Sequence, residues 1–118
     1  MLSIAFCDDE PIMLEELFNV VKGYIDSKKV EFTADLFESG EEFVEKGVRF
    51  RKYDIVFLDI EMKEMNGLEA AAWFRKLNEQ SKVIFVSSHV EYTLDAFKVA
   101  AFRYIIKNKD TMTQAVQE

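Results

Sequence analysis

Residues 2–11 read LSIAFCDDEP: an apolar run that ends on three consecutive acids and the only proline of the chain. Adjacent acids repel one another and favour neither a strand nor a helix interior, so the end of this run needs a special explanation. Similar short apolar runs recur at Tyr53–Leu58, Lys82–Ser87 and Ala101–Ile106, with the length and β-branched or aromatic content of buried strands. Val30 to Phe37 alternates more openly, with Val30, Phe32 and Leu36 on one face and Glu31, Thr33 and Asp35 on the other, as expected of an edge strand.

Helical patterns fill the intervals. Leu14, Leu17, Phe18, Val21 and Ile25 form one apolar stripe, and Pro11 suits the first turn of that helix. Ser39 followed by Glu42 reads as a capping box opening a short second helix, with Gly47 placed to close it. The third helix is expected over about Gly67 to Asn78, where alanine propensity and length carry the assignment because AAAWF is apolar on more than one side. Val90 to Lys98 supplies a fourth helix, and residues from Asp110 begin a fifth. Five strands alternating with helices specify an α/β fold. It is a flavodoxin-like, doubly wound five-stranded parallel sheet with strand order 2-1-3-4-5 and helices on both faces.

Composition narrows the function. The 118 residues are 49% hydrophobic, with four glycines and one proline, which suits a single domain over 1–118 that buries roughly two thirds of its unfolded surface. Fifteen Lys and Arg against twenty-two Asp and Glu give a net charge of −7, so the domain lacks the basic excess that binding a phosphate backbone requires. No signal-like or membrane-length apolar stretch occurs, and the single Cys7 excludes an internal disulfide, so a cytoplasmic location without membrane attachment is expected. Cys7 reads as core packing.

In the proposed strand order, Asp8 and Asp9 follow strand one and Asp59 of FLDIEM follows its neighbour, strand three. Strands lie about 4.8 Å apart, so three carboxylates converge at the carboxyl edge of the sheet. Two charges at that range repel by about 1 kcal/mol in water and about 3 kcal/mol at an effective dielectric near 20. A hard divalent cation relieves this repulsion, and Mg2+ suits one or two carboxylates together with waters and a phosphoryl oxygen. Strand four ends in Ser87, Ser88 and His89, offering hydroxyl donors, and strand five ends in Lys107, a mobile point charge. With these groups around a phosphoryl unit, an aspartate can attack phosphorus in line and become an aspartyl phosphate.

FCDDEP, FLDIEM with Gly67 eight residues after Asp59, VSS and YIIK, in this order over nearly the whole chain, resemble the receiver domain of bacterial response regulators. The stretch FVSSHVEYTLDAFKVAAFRYIIKN is further similar to receivers of the LytTR class, including the accessory-gene-regulator branch. The resemblance implies that Asp59 is the phosphoacceptor and Asp9 the direct carboxylate of Mg2+ (or Mn2+), with Asp8 acting through a metal-bound water. It also implies that Glu61 gives its backbone carbonyl to the metal, while Ser87 and Lys107 hold phosphoryl oxygens. Ser87 and Tyr104 would form the switch that alters the face of helix four, strand five and helix five.

Further implications of the resemblance concern partners. A sensor histidine kinase supplies the phosphoryl group, and the helix-four, strand-five and helix-five face is a possible homodimer surface. Transcription control would run through a LytTR DNA-binding output domain absent from these 118 residues, which stop early in the fifth helix. His89, the lone histidine, reads as an exposed loop residue. In the family, the positions of Glu61 and His89 influence phosphate lifetime. Phe97 and Phe102 read as packing or as part of a partner surface.

Two departures stand out. Asn108 replaces the usual proline after Lys107, which removes the expectation of a cis bond there, and Lys63 with Glu64 replaces a usual proline, so a looser loop is expected after Asp59. Two other readings remain open: a receiver-shaped interaction module that is never phosphorylated, and a small aspartate-nucleophile phosphohydrolase. Such enzymes commonly want acid, any residue, acid after strand one and a cap; this chain has DDE, no spare length for a cap and no evident general acid.

Overall fold

LSIAFC becomes the central strand β1 (Leu2–Cys7), pairing in parallel with β2 (Phe32–Phe37) on one side and β3 (Ile55–Leu58) on the other. The structure is a computed structural model that describes residues 1–48, 53–77, 81–87, 101 and 103–106. Strands β4 (Lys82–Ser87) and β5 (Arg103–Ile106) complete a sheet of order β2-β1-β3-β4-β5, every pairing parallel, which is the order the sequence predicts. The fourth helix, the start of the fifth, Ser88, His89, Phe97, Phe102, Lys107 and the bond before Asn108 lie outside the described residues.

Each face of the sheet carries its own core. Ile4 and Phe6 of β1, Phe57, Ile84, Val86 and Ile105 meet the stripe of α1 (Pro11–Ser27), whose Leu14, Leu17, Val21 and Ile25 are buried. On the other face Ala5, Cys7, Val56, Leu58, Val83 and Phe85 pack under Phe43, Ala70, Ala71 and Phe74. Strand alternation alone produces this division, because successive side chains leave a strand on opposite sides. Phe6 sits at the first junction, stacked on Phe57 with centroids 5.1 Å apart and meeting Phe18 edge-on at 5.6 Å.

Three local expectations change. The second helix keeps its cap, since the Ser39 hydroxyl accepts the Glu42 N–H at 3.0 Å. However, α2 (Gly40–Glu42) runs on into a wide π turn, Phe43–Val48, that contains Gly47. Gly47 closes nothing, because no glycine among the described residues adopts the left-handed conformation such a stop requires. Leu36 on β2 and Val30 ahead of it are exposed, and the residue driven into the core is Phe37, from the side expected to be polar. An edge strand has core beneath only part of its length, so its pattern misleads there. Tyr53 precedes β3 as a buried anchor, its hydroxyl donating to Asp35 Oδ2 at 2.8 Å.

α3 spans Gly67–Leu77, and Asn78, its expected last residue, lies outside the described residues. Asn66 and Glu69 cap it reciprocally: Glu69 N–H donates to Asn66 Oδ1 at 2.9 Å and Asn66 N–H to Glu69 Oε1 at 3.1 Å. The sequence reading overlooked this box, which the N-x-x-E spacing does carry.

Phe6 is fully buried between two rings, so Phe6→Ala should cost about 3–5 kcal/mol. A urea midpoint at or near that of the parent would contradict this packing.

Candidate functional site

Cys7 and Leu58 are register partners at the ends of β1 and β3, so the next residue of each strand, Asp8 and Asp59, emerges side by side. Both backbones are fixed: Asp59 N–H donates to Cys7 O at 2.9 Å and Asp8 N–H to Phe37 O at 3.1 Å. Both residues are almost fully buried, at 2% and 4% exposure, although buried carboxylates are costly. Glu10 N–H donates to Asp8 Oδ1 at 2.9 Å, turning the chain into α1, whose first residue is Pro11.

Carboxylate oxygens of Asp8, Asp9 and Glu10 lie within 4.8 Å of one another. Asp8 and Asp9 were expected here; Glu10 was not singled out, although the unbroken DDE run placed it at hand. This all-oxygen donor set suits a hard divalent cation. The crowding also reaches the thiol beneath. Burial first, then the charges of Asp8 and Asp59, push the Cys7 thiol far above its ordinary range and keep it protonated. Its Sγ contacts Ser39 O at 3.3 Å and Met62 Sδ at 3.6 Å.

The segment from Asp59 to Gly67 folds tightly over this edge. Gly67 N–H donates to Ile60 O at 2.8 Å, and a Cβ on Gly67 would stand 2.0 Å from Asp59 O, so only glycine fits. Lys63 N–H donates to Asp9 Oδ2 at 3.2 Å and Met65 N–H to Glu41 Oε1 at 3.2 Å. Glu64 takes a left-handed backbone, φ 59°. The looser loop expected from the missing proline is therefore replaced by one held through hydrogen bonds from β1's end and α2. The Glu64 carboxyl is hydrogen-bonded to Glu41, which raises Glu64 and lowers Glu41 relative to ordinary glutamate.

Ser87 ends β4 fully buried, two residues beyond Phe85, the partner of Leu58. Tyr104 pairs with Phe85 in register and lies 6.4 Å from its ring, partly buried against the α3-side core. Alternation places Ser87 on that same face of the sheet. Glu61 is exposed, two residues past Asp59. The described residues thus gather Asp8, Asp9, Asp59, Glu61 and Ser87 along one edge, with Tyr104 one step below.

The response regulator receiver domain model matches residues 4–117. The chain is 31% identical over 103 residues to the transcriptional regulatory protein LytR of Staphylococcus aureus (strain N315), covering 85% of this chain and 39% of that protein. It is 35% identical over 112 residues to the sensory transduction protein LytT of Bacillus anthracis, covering 93% and 43%. The chain therefore spans about two fifths of these curated relatives. Among solved structures, the response regulator TrrA of Thermotoga maritima, in complex with Mg(2+)-BeF, superposes with TM-score 0.73 at 32% identity, covering 99% of this chain and 97% of that one. A CheY-like receiver domain protein from Methanospirillum hungatei JF-1 gives TM-score 0.81 at 18% identity, covering 99% and 91%, which supports the fold.

Gly67→Ala should destabilise by about 3 kcal/mol, measured by urea denaturation, because the added carbon meets backbone that cannot step aside. In a carbon-detected NMR titration, Glu41→Ala should bring the Glu64 midpoint down, since the hydrogen-bonding carboxyl and then the charge that raise it are both gone. An unmoved midpoint would refute the pairing.

Proposed function

The chain belongs to the response regulator receiver domain family, and from that premise we propose that Asp59 accepts a phosphoryl group from a sensor histidine kinase. The supporting observation is the placement of Asp59. It is nearly buried at the end of β3, with its N–H bonded to the β1 backbone and Asp8 alongside. An Asp59 carboxylate oxygen attacks phosphorus as the bond to the kinase imidazole nitrogen breaks, giving an acyl phosphate. The phosphohistidine ring carries a proton on its other nitrogen, so the P–N electron pair leaves with a neutral imidazole.

Asp8, Asp9, Asp59 and the Glu61 carbonyl are the proposed holders of Mg2+ or Mn2+, with Glu10 grouped beside Asp8 and Asp9. The bound cation supplies charge neutralisation that lets carboxylates and phosphoryl oxygens share the crevice. TrrA, at 32% identity, was solved with Mg(2+)-BeF, which supports this assignment. Ser87 donates its hydroxyl to one phosphoryl oxygen, Lys107 pairs with another, and Tyr104 follows the hydroxyl as the switch. Stoichiometric self-phosphorylation and autodephosphorylation alone distinguish this role from turnover of an external substrate.

The LytR and LytT relatives suggest what is switched. LytR is a transcriptional regulatory protein more than twice this length. We assign residues 1–118 the receiver role, with transcription controlled through a DNA-binding LytTR output domain. The homodimer face of helix four, strand five and helix five, and the cytoplasmic location, belong to this same proposal. Among the described residues no helix is long and apolar enough to cross a membrane.

Intact mass after acetyl phosphate and Mg2+ should show one phosphate, absent in Asp59→Asn. Labelling that survives the substitution would exclude Asp59 as acceptor, no labelling at all would favour the unphosphorylated module, and sustained hydrolysis of phosphomonoesters would favour the phosphohydrolase. Mg2+ should also raise the melting temperature by several degrees through preferential binding to the folded state, and Asp9→Asn should remove most of that rise.

A further inference from the structure

We infer that Glu41 is a positioning residue for the phosphorylation site, holding the loop that presents the Glu61 carbonyl to the cation. The inference rests on the phosphoacceptor reading above. Glu41 lies in α2, outside the acid group formed by Asp8, Asp9 and Glu10, and touches none of the reacting atoms. Its Oε1 instead accepts the Met65 N–H at 3.2 Å.

The loop needs an outside hold. Residues 60–66 contain no proline, and Glu64 sits in a left-handed conformation that a residue bearing a side chain keeps only under restraint. Its ends are fixed by buried Ile60 and by the Gly67 N–H to Ile60 O bond. Between them, two side chains from other elements reach the backbone: Asp9 at Lys63 and Glu41 at Met65. Asp9 is itself a proposed metal ligand, so its hold on Lys63 is shared with the cation. Glu41 has no such second duty.

The anchor is firm. Ser39 caps Glu42, and the Cys7 thiol donates to Ser39 O, tying the start of α2 to the end of β1. Gly40, next to Glu41, lies so close to the loop that a Cβ there would come 2.7 Å from Met65 O. The two elements therefore meet at adjacent residues, by backbone contact at Gly40 and by a charge-assisted hydrogen bond at Glu41.

The test compares Mg2+ affinity by calorimetry with the rate of acetyl phosphate labelling of Asp59 at saturating Mg2+. Losing one such hydrogen bond should weaken Mg2+ binding on the order of fivefold in Glu41→Ala. The labelling rate at saturating Mg2+ should stay near the parent's. Glu41→Gln keeps a carbonyl acceptor for Met65 and should restore affinity. Glu41→Asp, which keeps the charge but falls short by one methylene, should bind weakly like the alanine variant. Parental affinity in both Ala and Asp variants, or a loss that Gln does not rescue, would overturn the inference. A parent chain that neither binds Mg2+ nor is labelled would instead sink the phosphoacceptor reading on which it rests.

Discussion

The parallel pairing of β1 with β3, closed at Cys7 and Leu58, is the constraint on which the rest depends. It sets two strands remote in sequence side by side, and it delivers Asp8 and Asp59 to one edge with their backbones already bonded. Below that edge Ile4–Cys7 and Ile55–Leu58 are apolar, so the two acids stand on a low-dielectric floor where their mutual repulsion is strengthened. A compact domain tolerates such a place when function uses it, and in the proposed function a bound cation relieves the repulsion.

The surroundings are shaped to hold that crowding in place. Gly67 lets the chain return against the Asp59 backbone, and the Asn66–Glu69 box starts α3 immediately afterwards. α2 presses on the same loop through Gly40 and Glu41. The thiol under the acids is pushed toward its neutral form, so it adds no further charge where charge is already excessive. Ser87 and Tyr104 follow on neighbouring strands by register, which puts a hydroxyl and an aromatic ring on the α3 side of the sheet. Under the proposed function, this is the route by which a charge event at Asp59 is passed toward β5.

Much of this was legible beforehand because parallel sheets write themselves plainly. Both faces of β1, β3 and β4 are covered, so each appears as a continuous apolar run, and the α1 stripe repeats at helical spacing. The acids stood out because nothing in strand or helix physics favours DDE. Where reading failed, burial was uneven or contact was non-local. Leu36 is apolar yet exposed, because the edge strand has no cover at that point. Gly47 looked like a stop, but the turn around it widened beneath buried Phe43. Glu10 was passed over because its role depends on how the chain bends into α1.

The sequence by itself determined the layered architecture, the strand order and the identity of the acids, since periodicity, chain length and crossover handedness leave few alternatives. Only the tertiary structure decided how the β3–α3 loop is held. Its restraints come from Asp9, Gly40 and Glu41, and their distances to Lys63 and Met65 depend on packing between elements. Local sequence shows that a rigidifying proline is missing; it carries no record of hydrogen bonds that reach across from another helix.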